Sequence, residues 1–118
     1  MTCFSVYDIV ILATMLPSGN DAAQAICDSL GVVCFRKLKD IDPVHFKRLS
    51  SKNFTNYGKF FIDEMNKNAQ SLGMCSTYYA NSHGLMNKAN QSSALDVAIV
   101  TAEGLNLFEM FKTAITAK

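Results

Sequence analysis

The sequence predicts a three-layer α/β/α sandwich on a short, mostly parallel sheet of about four or five strands. Three observations carry that expectation. Segments such as Tyr7 to Met15 (YDIVILATM) are rich in β-branched residues and apolar on both alternating faces after Asp8. That is the pattern of a strand buried on both sides. Amphipathic stretches of helical length alternate with such segments. Two segments, AICDSLGVVCF and KNAQSLGMCSTYY, share a helix-like run, a Ser-Leu-Gly corner and a strand-like run.

Taken in order, Tyr7 to Met15 reads as the first strand, with a buried helix as the rival reading. Pro17-Ser18-Gly19-Asn20 then breaks the chain. Asp21 to Leu30 is an amphipathic helix with Asn20 as its N-cap and Gly31 as the residue that closes it. Val32 to Leu38 reads as a second strand. Asp42-Pro43 is a cap followed by a first-turn proline, so it starts a helix. Apolar residues from Val44 to Leu72 carry a short helix and a long one, split near Ser50 to Asn53 and closed by Gly73. Met74 to Ala80 is a third strand, Asn81 to Ser93 a polar loop or short helix, and Leu95 to Thr101 a fourth strand. Leu105 to Ala117 is a closing helix. Crossovers are expected to be right-handed, with ligands beyond the carboxyl ends of the strands.

The chain has 118 residues, 49% apolar and 18% charged, with a formal net charge of +1. Such a length forms one domain, residues 1–118, that buries roughly two-thirds of its unfolded surface. The charge balance argues against nucleic-acid and membrane-surface partners, and the apolar fraction against disorder. The start of the chain has no basic region, Asp8 interrupts its apolar run, and no stretch approaches the ~20 residues of a membrane span. A cytoplasmic protein is expected.

Cys3, Cys27, Cys34 and Cys75 form no Cys-x-x-Cys pair, so they read as reduced thiols. Six methionines, eight phenylalanines and a mean hydropathy of +0.11 are generous for a monomer. They predict a homo-oligomer or a protein partner.

Candidate chemistry lies in the expected strand-end loops. The loop Pro17-Ser18-Gly19-Asn20 leads into a helix N-terminus, where backbone amides hold an anion or carboxylate; a plain turn is the competing reading. It has neither a phosphate-binding P-loop nor a Gly-x-Gly-x-x-Gly pattern. His83, in Asn81-Ser-His-Gly, belongs to the residue type most often used for acid–base work, although loop histidines are common. Cys75 is a candidate nucleophile or carrier, but no Lys or Arg is adjacent to lower its pKa. Tyr79 and Asn81 complete the candidate ligand-binding set with Pro17, Ser18, Gly19 and Asn20. His45, Cys27 and Cys34 read as structural. Asp96, Glu109 and Lys112 lack the spacing of a nuclease core. No metal site and no cofactor are expected, since there is no His-Glu-x-x-His and no paired cysteine.

Two family resemblances emerge from these segments. YDIVILATMLPSGNDAAQAICDSLGV, FIDEMNKNAQSLGMCSTYYANSHGL and LDVAIVTAEGLNLFEMF together resemble the DsrE-like family of small α/β sulfur-relay proteins. The resemblance implies that fold, with Cys75 as a persulfide carrier and His83 nearby. Sulfur-carrying members place their cysteine nearer Tyr79 or Ala80, and many relatives are binding or assembly subunits. YDIVILATMLPSGN is also similar to the phosphoacceptor segment of response-regulator receivers. Ala13 stands where the acceptor aspartate belongs, which leaves a non-phosphorylatable interaction module. The sequence thus points to a non-catalytic binding or assembly subunit or a sulfur carrier, with the receiver-like module as alternative.

Overall fold

The computed structural model describes residues 11, 12, 14–51, 56–107 and 109–116. These residues are mostly helical and contain no sheet, which overturns the expected α/β sandwich. The elements are α1 (Asn20–Ile41), α2 (Pro43–Ser50), α3 (Gly58–Ser71), α4 (Ala94–Leu107) and α5 (Glu109–Thr116). Of the expected first strand, residues 7–10 and 13 lie outside the described residues, while residues 11, 12, 14 and 15 are helical.

The second expected strand, Val32 to Leu38, is the continuation of α1. Gly31 does not close the helix. It sits in a buried stripe, Ala23, Cys27, Gly31 and Phe35, that repeats every four residues along α1. A β-carbon at Gly31 would collide with the backbone carbonyl of Tyr57, just before α3. Glycine is there because two backbones meet. Gly58 answers it from α3: its own β-carbon would stand 3.1 Å from the Cys27 sulfur and 2.9 Å from Asp28 Oδ1. The Cys27 thiol donates to the Gly58 carbonyl at 3.3 Å across the same contact.

Phe35 ends the stripe and is the centre of an aromatic cluster. Its ring lies 4.8 Å from Phe46, 5.3 Å from Tyr57 and 5.1 Å from Phe60, measured between centroids. These tilted and edge-on distances fall in the favourable range for aromatic pairs. α1, α2 and α3 are thereby tied into one layer of packed helices.

Both expected signals around α2 and α3 hold. Asp42 caps α2, its Oδ1 accepting from the His45 amide at 3.0 Å, with Pro43 in the first turn. Gly73 closes α3 at φ +80°. The Met74 amide reaches back to the Ala69 carbonyl at 2.9 Å and the Gly73 amide to Gln70 at 3.1 Å. This is the Schellman pattern, and Ala69 and Met74 are both buried at it.

The third expected strand, Met74 to Ala80, is irregular chain. It contributes a single isolated antiparallel bridge, Tyr78 to Gln91. The fourth, Leu95 to Thr101, is the body of α4. Ser93 explains why: its hydroxyl accepts from the Asp96 amide at 3.1 Å and caps the helix ahead of the β-branched run. α4 is apolar on every side rather than on one. Leu95 (70%), Val97 (52%) and Leu107 (62%) are all well exposed. The closing helix expected over Leu105 to Ala117 appears as the end of α4 and α5, with Phe108 and Ala117 outside the described residues. No helix among the described residues is long and apolar enough to cross a membrane.

Candidate functional site

Two groups of candidate residues are positioned by α1. The first is its N-terminal approach. Pro17 and Ser18 are exposed, Gly19 is the N-cap residue, and Asn20 is the first helical residue rather than the cap. The N-cap Gly19 has no side chain with which to cap α1, and Asn20 stands exposed at the first helical position. Ser18 has φ 55° and is the only non-glycine with positive φ among the described residues. That conformation is disfavoured for a residue with a β-carbon, and such strain gathers at functional sites. It is fixed by the Gly19 amide, which donates to the Thr14 carbonyl at 3.1 Å, and by the Gly19 carbonyl, which accepts from Ala23 at 3.0 Å.

The second group is the loop between α3 and α4. Asn66 of α3 grips the Tyr79 backbone at both ends, accepting from its N–H at 2.8 Å and donating to its carbonyl at 2.9 Å. The Ala80 amide donates to Asn90 Oδ1 at 2.6 Å. Asn81 uses both ends of its amide locally, donating to the Leu85 carbonyl at 3.0 Å and accepting from the Gly84 amide at 2.9 Å. Tyr78 and Gln91 exchange backbone hydrogen bonds at 2.9 and 3.0 Å. His83 Nδ1 accepts from the Leu85 amide at 3.2 Å. A neutral His83 therefore carries its proton on Nε2.

This loop borders a cleft of about 470 Å³, lined by Tyr78, Tyr79, Asn81, His83 and Gln91 among others. The cleft has no Lys, Arg, Asp or Glu in its wall. A larger cleft of about 670 Å³ lies beyond Tyr78, between α1 and α3, and is lined by Lys37, Lys67, Asp63 and Glu64 among others.

Ser82 joins the loop to α1. Its hydroxyl is buried with no aligned hydrogen-bond partner, but it lies near enough to the Cys27 sulfur to favour the thiolate. Burial outweighs that, and the Cys27 pKa stands above the ordinary thiol value. Asn20 and Cys27 are about 10 Å apart along the same helix, at 1.5 Å per residue. The structure thus ties Ser18–Asn20 and the loop carrying Tyr79, Asn81 and His83 to one helix.

Cys75 stands apart from both groups. It is exposed in the turn after α3, its thiol directed at the Gly73 carbonyl at 3.4 Å. His45 is on α2, bonded by Arg48 Nη2 at 2.9 Å. No cluster of His, Cys, Asp and Glu that could hold a metal occurs among the described residues.

The site so described is a helical scaffold carrying a strained Ser-Gly-Asn turn and an uncharged loop cleft. Its family is shown by comparison: residues 55–118, more than half of the chain, match the family model of the D-alanyl-D-alanine carboxypeptidases. The chain belongs to that family. No curated protein and no solved structure matches it. The match overturns the resemblance to DsrE-like proteins. With it go the sulfur relay, the persulfide role of Cys75 and the binding or assembly subunit inferred by likeness to those proteins. It overturns the receiver-like module as well, since a receiver needs the sheet that the described residues lack.

The Ser18 turn lies outside the matched residues 55–118. Penicillin-binding proteins and class A β-lactamases share Ser-x-x-Lys, Ser-Asp-Asn and Lys-Thr-Gly elements. Ser18-Gly19-Asn20 has the outer residues of the second element. The sequence alone offers this turn as an anion site or a plain turn, and does not draw the comparison with that element. Asn66, Asn90 and Gln91 are missed too. Each acts on chain remote in sequence, so no local pattern marks it.

Proposed function

We propose that this chain forms part of the substrate site of a D-alanyl-D-alanine carboxypeptidase. The Ser18-Gly19-Asn20 turn at the head of α1 carries the proposal, with Ser18 at φ 55° and Asn20 exposed at the first helical position. The family match over residues 55–118 supports it from the other half of the chain.

The chemistry of the turn suits a peptide terminus. A primary amide offers both donor and acceptor, so the Asn20 side chain can pair with a peptide C=O and N–H together. A hydroxyl accepts one proton while donating another, so Ser18 can relay a proton to the amine that leaves as the peptide bond breaks. The 118 residues contain neither Ser-x-x-Lys nor Lys-Thr-Gly. In this reading the nucleophile and its lysine are supplied by polypeptide outside them.

Amide NMR of the ¹⁵N-labelled chain tests the reading. Diacetyl-Lys-D-Ala-D-Ala is expected to shift the Ser18, Gly19 and Asn20 amides, and Asn20→Ala to abolish the response. The L-Ala-L-Ala analogue is expected to leave them in place. Equal response to both stereoisomers, or none to either, refutes it.

A further inference from the structure

We infer that the cleft between α1 and α3 is a binding site for a free α-amino acid with a large apolar side chain. The site is separate from the proposed peptide site. Asn20 and Lys37 stand about 25 Å apart along α1, at 1.5 Å per residue.

The charges in the wall select a zwitterion. Lys37 on α1 and Asp63 on α3 both line this cleft of about 670 Å³. Neither side chain has a partner among the described residues, where Glu64 and Lys67, 3.9 Å apart, make the only ion pair. A cation on one helix and a carboxylate on the next thus share a cavity without meeting. An anion drawn to Lys37 also meets Asp63 and Glu64, and a cation drawn to Asp63 also meets Lys37 and Lys67. A ligand that carries both charges satisfies the two walls at once. Its carboxylate accepts from Lys37, and its ammonium group donates to Asp63.

The apolar part of the wall selects the side chain. Lys37 and Ile41 are four residues apart on α1, and Phe60 and Asp63 three apart on α3, so each helix sets one charge beside one large apolar residue. Ile41 is 77% exposed, and Leu38 lines the cleft next to it. A leucine-sized side chain covers this strip and removes it from water, whereas the methyl of alanine leaves most of it wet. The volume falls within the range of small-molecule sites.

Cys34 reports whether the cleft is filled. It lines the same cleft one turn before Lys37, and the charges of Glu64, Lys37 and Lys67 all act on its thiol. Cys75 is exposed and does not line the cleft. A ligand held between Lys37 and Asp63 shields the first thiol and not the second.

The test is a titration of the full chain with L-leucine. A Kd on the order of 1 mM is expected, so that about 10 mM slows iodoacetamide labelling of Cys34 roughly tenfold and leaves Cys75 unchanged, as read by peptide mass spectrometry. Amide NMR of the same titration is expected to shift residues 34–41 and 60–67, which reads binding whatever the labelling rate. Isocaproate is leucine without its ammonium group, and isoamylamine is leucine without its carboxylate. D-Alanine has both charges and no apolar body. Each of the three is expected to protect Cys34 less than about twofold. Lys37→Gln and Asp63→Asn are each expected to abolish protection by leucine, each variant being compared with itself without ligand. Both side chains are exposed, so the substitutions leave the core intact. Unshifted amides in the two segments, equal protection by isocaproate, isoamylamine or D-alanine, or protection that survives both substitutions overturns the inference. The diacetyl-Lys-D-Ala-D-Ala titration reads Ser18–Asn20 instead, so the two sites stand or fail independently.

Discussion

Asn66 and Tyr79 stand thirteen residues apart in sequence and are joined by two hydrogen bonds, of 2.8 and 2.9 Å, between one side-chain amide and one backbone unit. A side chain here does the work of a neighbouring strand. It satisfies the N–H and C=O of a residue outside any helix, and it fixes the loop to α3. Both groups are partly buried. Loss of the amide would strand them in a place where water is a poor substitute.

Asn66→Ala is therefore expected to destabilise the chain by about 2–3 kcal/mol, the cost of two unmade partly buried hydrogen bonds. Urea denaturation measures the loss. Hydrogen exchange at the Tyr79 amide is expected to rise with it, while exchange in α2 stays near that of the parent. An unchanged Tyr79 amide would show that the loop is held by something else.

Asp96 makes the corresponding attachment at the other end of the loop. It is 3% exposed, and its Oδ2 accepts from the Ser76 amide at 2.8 Å and the Thr77 hydroxyl at 2.7 Å. Thr77 is in turn 2.8 Å from the Ser92 hydroxyl. Asp96→Ala removes the shared acceptor of two partly buried hydrogen bonds, which costs about 2–3 kcal/mol. Asp96→Asn keeps one acceptor oxygen and is expected to lose roughly half as much. The midpoints of chemical denaturation for the two variants, ranked against the parent, decide this. Equal losses would mean that the charge, not the acceptor, holds the loop.

Gly31→Ala sets two magnitudes against each other. Alanine is better than glycine inside a helix by about 1 kcal/mol. The added β-carbon, however, meets the Tyr57 carbonyl, which is backbone and cannot swing aside. Forced overpacking costs about 1–3 kcal/mol and sometimes more. The steric term wins, so the variant is expected to be less stable than the parent despite its better helix former. A rise in melting temperature would show that α1 and the start of α3 do not approach at Gly31.

The same glycine shows how far the fold is legible. Local chemistry is readable where it is self-contained: Asp42-Pro43 starts a helix, and Gly73 ends one. Gly31 carries the same letter as Gly73 and serves a different purpose, because a backbone before another helix approaches it. That partner is remote in sequence and invisible to a local reading. The two runs expected as strands, Val32 to Leu38 and Leu95 to Thr101, contain β-branched residues whose aversion to helix is a few tenths of a kcal/mol each. Burial every four residues through Phe35 in α1, and the Ser93 cap before α4, outweigh it. The candidate site fares differently. Ser18, Asn20, Tyr79, Asn81 and His83 are expected at strand ends, which the described residues lack, yet they lie in turns and loops or at a helix start. Polar residues in breaks between apolar runs mark such places in either fold class.

α4 predicts how the isolated chain behaves. A helix that is apolar all round belongs in an interior, and Leu95, Val97 and Leu107 here face solvent. Sedimentation equilibrium is expected to show an average mass that rises through tens of micromolar, roughly where weak hydrophobic association sets in. Leu95→Lys with Val97→Lys is expected to return the chain to monomer while changing stability by less than about 0.5 kcal/mol, as for exposed positions generally. A monomer mass at every concentration would exclude self-association through this helix.

The thiols give the last prediction, and its sign follows from burial. Cys27 is fully buried, and burial is the leading cause that raises its pKa, with the nearby charges of Asp28 and Cys34 adding to it. Cys34 is raised as well, first by burial and then by Glu64. They stand seven residues apart on α1, about 10 Å along its axis, too far for a disulfide. In the unfolded chain both thiols ionise near pH 8.5. A group whose folded pKa is higher contributes stability that is complete below the unfolded pKa and is lost as pH rises through the folded value. The urea midpoint is therefore expected to fall as pH rises above about 8, and to fall less in Cys27→Ala than in the parent. Iodoacetamide is expected to label exposed Cys75 first and half-buried Cys34 more slowly, and Cys27 only on unfolding. A Cys27 that alkylates at the Cys75 rate in the folded chain would place its sulfur in solvent, and would break the α1–α3 contact on which the candidate site rests.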